Sequence, residues 1–146
     1  MISHKATITV NKSAAQVFQF VGTDYFVNHA KWDSRVVNLH LETKGPVVLG
    51  TKGHEVRNEG GRNKNYDFEV TDFQANQCIG MKAKGGSSRF SATYTIRPLG
   101  AQQSSLDVEF NLKMGGLRML MERFMATSFS KEVDSVASSI KKTLEK

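Results

Sequence analysis

The apolar side chains of the last thirty residues recur at the spacing of one helix face. Between Leu117 and Leu144 they return every three or four positions, which predicts one long amphipathic helix. It spans roughly 28 residues and is about 42 Å long at 1.5 Å per residue. The stripe consists of Leu117, Leu120, Met121, Phe124, Met125, Phe129, Val133, Val136, Ala137, Ile140 and Leu144. Because such a stripe must be covered, we expect the helix to lie on a sheet.

Most of the remaining chain alternates between apolar and polar residues, as half-buried strands do. Strands are predicted at His4–Asn11, Val36–Thr43 and Thr51–Arg57. Four further strands have the apolar sets Tyr66, Phe68 and Val70; Ile79, Met81 and Ala83; Phe90, Ala92, Tyr94 and Ile96; and Leu106, Val108, Phe110, Leu112 and Met114. This pattern is typical of an antiparallel sheet with one buried face and one solvated face.

Helix and turn signals divide the strands. Ser13 is a favourable N-cap for a short helix over Ala14–Val21, which Gly22 ends, and Tyr25–Lys31 fits a second short helix. Loop signals stand at Asn58–Asn63 and Pro98–Gly100, and the paired glycines Gly85-Gly86 and Gly115-Gly116 predict a hairpin turn and a break before the long helix. The predicted order is strand, two short helices, six strands and a long helix, which is an α+β arrangement.

Composition and charge narrow the function classes. We expect one domain over residues 1–146, because 146 residues with 39% apolar content can form a core without disulfides. Cys78 is the only cysteine. We find no signal peptide and no run long enough for a membrane span, so we expect a cytoplasmic protein. The net charge is +6, but aromatic and basic residues do not interleave, so nucleic acid is not an expected partner. No metal-ligand spacing occurs, and no cofactor is expected.

Four short motifs occur along the chain in a recognisable order. Ala6–Val10 leads into Ser13-Ala14-Ala15-Gln16-Val17-Phe18, and Lys31-Trp32-Asp33-Ser34-Arg35-Val36, Gly50-Thr51-Lys52-Gly53 and Ile140-Lys141-Lys142-Thr143-Leu144-Glu145 follow. In this order they resemble the START-like (SRPBCC) superfamily, in particular its polyketide cyclase/dehydrase and lipid-transport group. The resemblance implies the helix-grip fold, in which a curved antiparallel sheet of about seven strands wraps around the C-terminal helix and two short helices follow strand 1. It also implies an apolar cavity between sheet and helix, but no particular reaction.

The side chains expected to face this cavity are the candidate ligand-binding residues. They combine strand residues, helix residues and a tryptophan segment that would cover one end of the cavity. The set is Trp32, His54, Tyr66, Phe68, Met81, Phe90, Tyr94, Phe110, Met114, Leu120, Phe124, Met125 and Phe129. Aromatic and methionine side chains suit a hydrophobic ligand of variable shape. Each of them could equally be an ordinary core residue.

Three residues are candidate catalytic groups. The hydroxyls of Tyr66 and Tyr94 could hydrogen-bond or polarise a ligand carbonyl, and His54 could act as a general base. The strand Thr51–Arg57 alternates poorly, however, so the direction in which His54 points is open. With the opposite parity, Glu55 and Arg57 would face the cavity instead. His29, close to Trp32, could lie at the cavity mouth.

Three function classes remain open at this point. The leading hypothesis is a carrier or binding protein for a hydrophobic small molecule such as a lipid, a quinone or an aromatic polyketide. The first alternative is a polyketide cyclase or dehydratase that uses a cavity tyrosine or histidine as acid or base. The second alternative is a protein-interaction or chaperone-activating module, which needs no cavity. A homodimer is a possible assembly.

Overall fold

The computed structural model describes residues 1–146 and contains one antiparallel sheet and three α-helices. In chain order the elements are β1 (Ile2–Val10), α1 (Ala14–Phe18), a π-helical turn (Gln19–Thr23), α2 (Tyr25–Trp32), β2 (Val36–Leu41), β3 (Lys52–Glu59), β4 (Arg62–Gln74), β5 (Cys78–Gly85), β6 (Ser88–Gly100), β7 (Gln103–Met114), a 3₁₀ helix (Gly116–Met121) and α3 (Glu122–Leu144). The strands are ordered β1-β7-β6-β5-β4-β3-β2. This confirms the predicted helix-grip arrangement. No helix is both long and apolar enough to cross a membrane.

The first short helix begins where the sequence predicts. The Ser13 hydroxyl accepts a hydrogen bond from the Gln16 amide at 3.2 Å, and the Gln16 side chain accepts one from the Ser13 amide at 3.1 Å, which forms a capping box. The α-helix ends earlier than predicted, at Phe18, and continues as a π-helical turn. Val17, Phe18 and Val21 are all buried, and the π-helical turn that follows Phe18 places Val21 in the core as well.

The C-terminal half of α3 is anchored to the sheet. Val133, Ala137 and Ile140 are fully buried, and α3 packs against β1 and β7. The inward side chains of these strands, among them Val10, Leu106 and Val108, are equally inaccessible to solvent. Close packing of aliphatic groups here supplies the main hydrophobic core.

The N-terminal half of the predicted helical stripe is not covered by the sheet. Gly116–Met121 is 3₁₀ rather than α-helical, and Leu117 and Phe124 are 87% and 80% exposed. The prediction of one buried stripe from Leu117 onward is therefore wrong for its first two turns. The physical reason is that β7 ends at Met114, where the Glu122 carboxylate accepts a hydrogen bond from the Met114 amide at 2.8 Å. The chain turns there, and no strand lies beneath the segment that follows.

The β3–β4 connection is tighter than predicted. The strands pair up to Glu59 and Arg62, so Gly60 and Gly61 form the whole turn, with φ angles of 60° and 82°. Two consecutive left-handed residues suit a two-residue hairpin, and glycine adopts that conformation without steric strain. The predicted loop over Asn58–Asn63 is thus mostly strand.

Two glycines make room for aromatic rings on the inner face of the sheet. A Cβ atom at Gly53 would lie 2.2 Å from Cζ of Phe68, and one at Gly85 would lie 2.4 Å from Cε1 of Tyr66. Both distances are far below van der Waals contact, so neither position accepts a larger residue without moving the ring. The two glycines thereby fix where Phe68 and Tyr66 stand.

The division of the helical stripe predicts contrasting mutational effects. Replacing the fully buried Ile140 with alanine should lower the free energy of unfolding by about 2–5 kcal/mol, because it leaves a cavity in the core. Replacing the exposed Leu120 with alanine should change it by less than about 0.5 kcal/mol. Denaturant unfolding measures both values. Equal destabilisation by the two substitutions would contradict the observed division.

Candidate functional site

A cavity of about 350 Å³ lies between the sheet and α3. Most of its wall is apolar and comes from β4 to β7 and from the first turns of α3. These side chains are Phe68, Met81, Ala83, Phe90, Ala92, Tyr94, Phe110, Leu112, Met114, Met125 and Phe129. The rings of Phe90 and Phe110 meet edge to face at 5.1 Å between centroids, which gives the wall a defined shape.

Charged side chains from β3 and α2 form the other part of the wall. Arg57 is at the centre, with Nη2 2.7 Å from Oδ2 of Asp33 and Nη1 3.0 Å from Oε1 of Glu55. Its Nε lies 3.6 Å from Oε1 of Glu59. Burial alone would lower the pKa of Arg57, but Asp33 and Glu55 raise it above its usual value. Arg57 is therefore a permanent cation that hydrogen-bonds both Asp33 and Glu55.

Asp33 connects this cluster to α3. It lies just after α2 and also accepts hydrogen bonds from the amide and Nε of Arg35, at 3.1 and 3.4 Å. Arg35 in turn pairs with Glu132 on α3. Burial raises the pKa of Asp33, yet Arg57 and Arg35 outweigh burial and hold that pKa below its usual value. Asp33 is thus an ionised link between α2, β3 and α3.

His29 is buried between two carboxylates. Its Nδ1 lies 3.3 Å from Oε1 of Glu55 and its Nε2 lies 3.8 Å from Oδ2 of Asp33 and 3.4 Å from the Tyr25 hydroxyl. Burial lowers the pKa of His29 to about 3, with Arg57 contributing and Asp33 opposing. The imidazole is therefore neutral near pH 7. The Nδ1 contact lacks the alignment of a hydrogen bond, so that buried nitrogen has no partner.

Glu55 differs from Asp33 in the direction of its pKa shift. Burial raises the pKa of Glu55, and the contacts with Arg57 only partly offset this effect. Its side chain is 9% exposed and faces the cavity. Among the acidic groups of the cluster, Glu55 is the one whose pKa moves toward neutrality, because burial disfavours its charged form.

Two cavity tyrosines are weaker acids than usual. The Tyr66 hydroxyl donates to Glu59 Oε1 at 3.0 Å, and burial together with the Glu59 charge raises the pKa of Tyr66 to about 12. Tyr94 is fully buried, and burial followed by the charge on Asp33 raises its pKa well above the usual value. Both remain neutral hydrogen-bonding groups over the physiological range.

Comparison with protein-family models decides the family. The model described as "Polyketide cyclase / dehydrase and lipid transport" matches residues 1–145. The chain belongs to this family. A search of curated proteins by sequence finds no match.

Solved structures with the same fold include members of the START superfamily. A START superfamily protein from Mycobacterium smegmatis superposes with a TM-score of 0.78 at 13% identity, covering 98% of this chain and 97% of that one. The Zhui aromatase/cyclase from Streptomyces sp. R1128 also gives 0.78 at 13% identity, with coverages of 98% and 93%. A Thermus thermophilus protein gives 0.73 at 11% identity, with coverages of 97% and 96%. At these identities the similarity establishes the fold alone.

Most of the strand residues predicted to face the cavity do line it. The structure places Tyr66, Phe68, Met81, Phe90, Tyr94, Phe110 and Met114 in its wall, together with Met125 and Phe129 from α3. Whether they contact a ligand stays a prediction. The placement follows from alternation along β4 to β7, where every second side chain faces the same side of the sheet.

His54, a candidate ligand-binding and catalytic residue whose direction the sequence left open, does not face the cavity. His54 is on the outer face, where its Nδ1 lies 2.9 Å from Asp67 and its Nε2 3.1 Å from Asn65. Its neighbours Glu55 and Arg57 face the cavity, which is the opposite parity that the poor alternation had left open. The tight turn could have revealed this, since a two-residue turn at Gly60-Gly61 places Glu55 opposite the inward-facing Tyr66.

Three further predicted ligand contacts lie outside the cavity wall. Leu120 is 72% exposed and Phe124 also points to solvent, because the 3₁₀ segment and the first turn of α3 extend beyond the sheet. Trp32 is buried behind the wall, with its ring 5.2 Å from Phe20 and 5.7 Å from Tyr25. It supports Tyr25 and Tyr94 instead of closing one end of the cavity.

The depressed pKa of His29 predicts an acid-dependent loss of stability. Its folded pKa, about 3, is below the ordinary value of 6.5, so its stabilising contribution is complete above pH 6.5 and declines as the pH falls toward 3. We expect the difference in unfolding free energy between wild type and His29→Asn to shrink by up to about 1.4 kcal/mol per pH unit in this window. Denaturant titrations at several pH values measure it.

His54→Asn provides a control of opposite sign. The hydrogen bond to Asp67 raises the pKa of His54. The contribution of His54 to the unfolding free energy is therefore complete below pH 6.5 and is lost as the pH rises through its pKa in the folded protein. The two variants should therefore change the pH dependence of the unfolding free energy in opposite directions. A His29→Asn protein whose stability difference from wild type is constant from pH 7 to pH 4 would refute the assignment of a buried neutral imidazole.

Proposed function

We propose that this protein binds a hydrophobic small molecule that carries a polar group at one end. The observation that carries the proposal is a cavity with an apolar wall that ends at a cluster of charged and hydroxyl-bearing side chains. Its volume is within the range of about 300–1,000 Å³ that is common for small-molecule sites. Burial of apolar ligand surface would supply the affinity at about 25 cal/mol per Å².

The charged cluster restricts the kind of polar group that the ligand can carry. Asp33, Glu55 and Glu59 already surround the single positive charge of Arg57, so a ligand carboxylate placed there would add a fourth negative charge. The Tyr66 O–H donates a hydrogen bond to Glu59, and its oxygen can still accept one from a donor on the ligand. A neutral hydroxyl or phenol therefore fits the polar end better than an anion does.

The pKa directions support binding over acid–base catalysis by the tyrosines and the histidine. An efficient general acid or base has a pKa near the working pH. The pKa of Tyr66 rises to about 12 and that of His29 falls to about 3, and the pKa of Tyr94 also rises. The pKa values of all three groups are therefore shifted away from neutral pH. They suit the positioning of a ligand.

Narrowing the cavity should abolish binding. Ala83 lies in the wall between Phe68 and Phe90, so Ala83→Leu extends a side chain into the space. We expect at least a tenfold loss of affinity for the neutral fluorescent probe N-phenyl-1-naphthylamine, because the lost apolar contact area corresponds to roughly 1.4 kcal/mol or more. Solvent extraction of purified wild-type protein followed by mass spectrometry should identify a co-purified hydrophobic compound that the variant lacks.

Ala75→Leu is the matched control. Ala75 is exposed in the turn between β4 and β5, so the same added volume lies far from the cavity. This variant should bind the probe as the wild type does. Equal affinities for all three proteins, with no extractable compound, would refute a ligand-binding cavity.

A polyketide cyclase or dehydratase is the second candidate, and one contact favours it. Such chemistry needs a group that transfers a proton to or from the substrate, and the carboxyl group of Glu55 lies in the cavity wall, 3.3 Å from the neutral His29. Burial moves the pKa of Glu55 toward neutrality, where a carboxyl group transfers protons efficiently. The aromatase/cyclase with the same fold makes ring closure the reaction to test. The third reading, a protein-interaction module, gains no support from this geometry.

Glu55→Gln separates the two candidates. If Glu55 transfers a proton, cyclisation of a synthetic linear poly-β-ketone thioester should slow by about a hundredfold or more, while the affinity for the fluorescent probe changes little. Absorbance of the aromatic product follows the reaction. Glu42→Gln, at an exposed position, is the control and should react at the wild-type rate. The absence of any cyclised product with wild-type protein would reject the enzymatic candidate and leave the carrier.

A further inference from the structure

The chain between β7 and the second turn of α3 exposes an unusual amount of apolar surface. Five side chains in this stretch are more than half exposed, and we call residues Leu117–Phe124 the apolar segment. Its exposed members are Leu117, Met119, Leu120, Met121 and Phe124. Contiguous apolar patches of this kind mark sites that contact another molecule or a membrane.

Basic residues without ion-pair partners lie within the apolar segment and on the strands that end next to it. Arg118 and Arg123 belong to it, and Lys113 precedes it at the end of β7. Lys84 pairs across strands with Arg89, and Arg89 with Lys113, so these three bases form a row on the outer face of the sheet that ends one residue before Met114. None of the five bases lies within 4.0 Å of a carboxylate. We call them the basic row.

The charge distribution selects the kind of partner. A two-fold dimer through this surface would place the basic row against its own copy, because a symmetric interface uses the same patch twice. An anionic surface instead complements the five unpaired cations. Exposed leucine, methionine and phenylalanine side chains among arginines are the pattern of interfacial segments, whose apolar groups enter the headgroup region of a bilayer.

We propose that the apolar segment and the basic row dock this protein on an anionic lipid surface. The segment borders the cavity, since Arg118 lines it together with Met114 and Met125 on either side of the segment. Docking would therefore bring the cavity wall close to the lipid. The inference goes beyond the proposed function, because docking depends on surface residues and not on any ligand inside the cavity.

Vesicle flotation tests the proposal directly. The wild-type protein should float with phosphatidylcholine vesicles that contain phosphatidylglycerol, and much less with phosphatidylcholine alone. Raising the salt concentration should weaken the binding, because exposed charges are screened. The double variants Leu120→Ser/Phe124→Ser and Arg118→Glu/Arg123→Glu should each reduce binding about tenfold or more, the first through lost apolar insertion and the second through charge reversal.

Matched controls separate docking from general surface effects. Val27→Ser/Leu99→Ser removes two exposed apolar side chains elsewhere, and Lys131→Glu/Lys142→Glu makes the same charge change on exposed positions of α3 away from the segment. Both controls should float like the wild type. Leu120→Ser/Phe124→Ser should keep the wild-type affinity for the fluorescent probe, so that a failure of docking is distinguishable from a failure of the cavity.

Four results would overturn the proposal. The wild type could fail to bind anionic vesicles, or its binding could be equally reduced by the control pairs. Sedimentation velocity could instead show a dimer that Leu120→Ser/Phe124→Ser dissociates, which would make the surface an interface between two copies. Retention by an acidic protein but not by anionic vesicles would likewise assign the surface to a protein partner.

Discussion

The structure depends on how far the sheet supports α3. The C-terminal half of the helix packs against β1 and β7 through side chains such as Val133 and Ile140, which are inaccessible to solvent. At its N-terminal end α3 contacts the sheet through Glu122, which accepts a hydrogen bond from Met114 at the end of β7, while Phe124 points to solvent. The space below Met125 and Phe129 is the cavity. The cavity and the exposed apolar segment therefore both lie at the N-terminal end of α3, where the helix does not pack directly on the strands.

Alternation in the sequence was sufficient to predict the apolar wall of the cavity but not the charged side chains that complete it. In β4 to β7 the inward positions are apolar, so a period of two identifies the buried face directly. In β3 the inward positions are Gly53, Glu55 and Arg57, which hydrophobicity cannot recognise as inward-facing. Strand register carries the missing information, since each residue of β3 shares a face with its partner on β4. The register can be derived from the sequence by counting outward from Gly60 and Gly61, if these two residues are taken as the complete turn.

The helical stripe shows a second limit of sequence patterns. A period of 3.6 identifies which side chains share a helix face, but not what covers that face. Val136 and Phe124 belong to the same predicted stripe, and only Val136 is buried. The length of β7 relative to the helix decides the difference, and that length is a property of tertiary structure. Exposed apolar residues in a predicted stripe are therefore the places where an additional partner is to be sought.

The buried charges are difficult to explain by stability alone. Taking Arg57, Asp33 and Glu55 out of water costs free energy that their mutual attraction only partly returns, and apolar residues of equal volume would often hold a core as well. Removing Arg57 alone would be worse, since it would leave two buried carboxylates without their cation. The cluster instead joins α2, β3 and, through Arg35 and Glu132, α3 around one end of the cavity. Fixed polar groups beside an apolar wall orient a ligand, which a uniformly apolar cavity could not do.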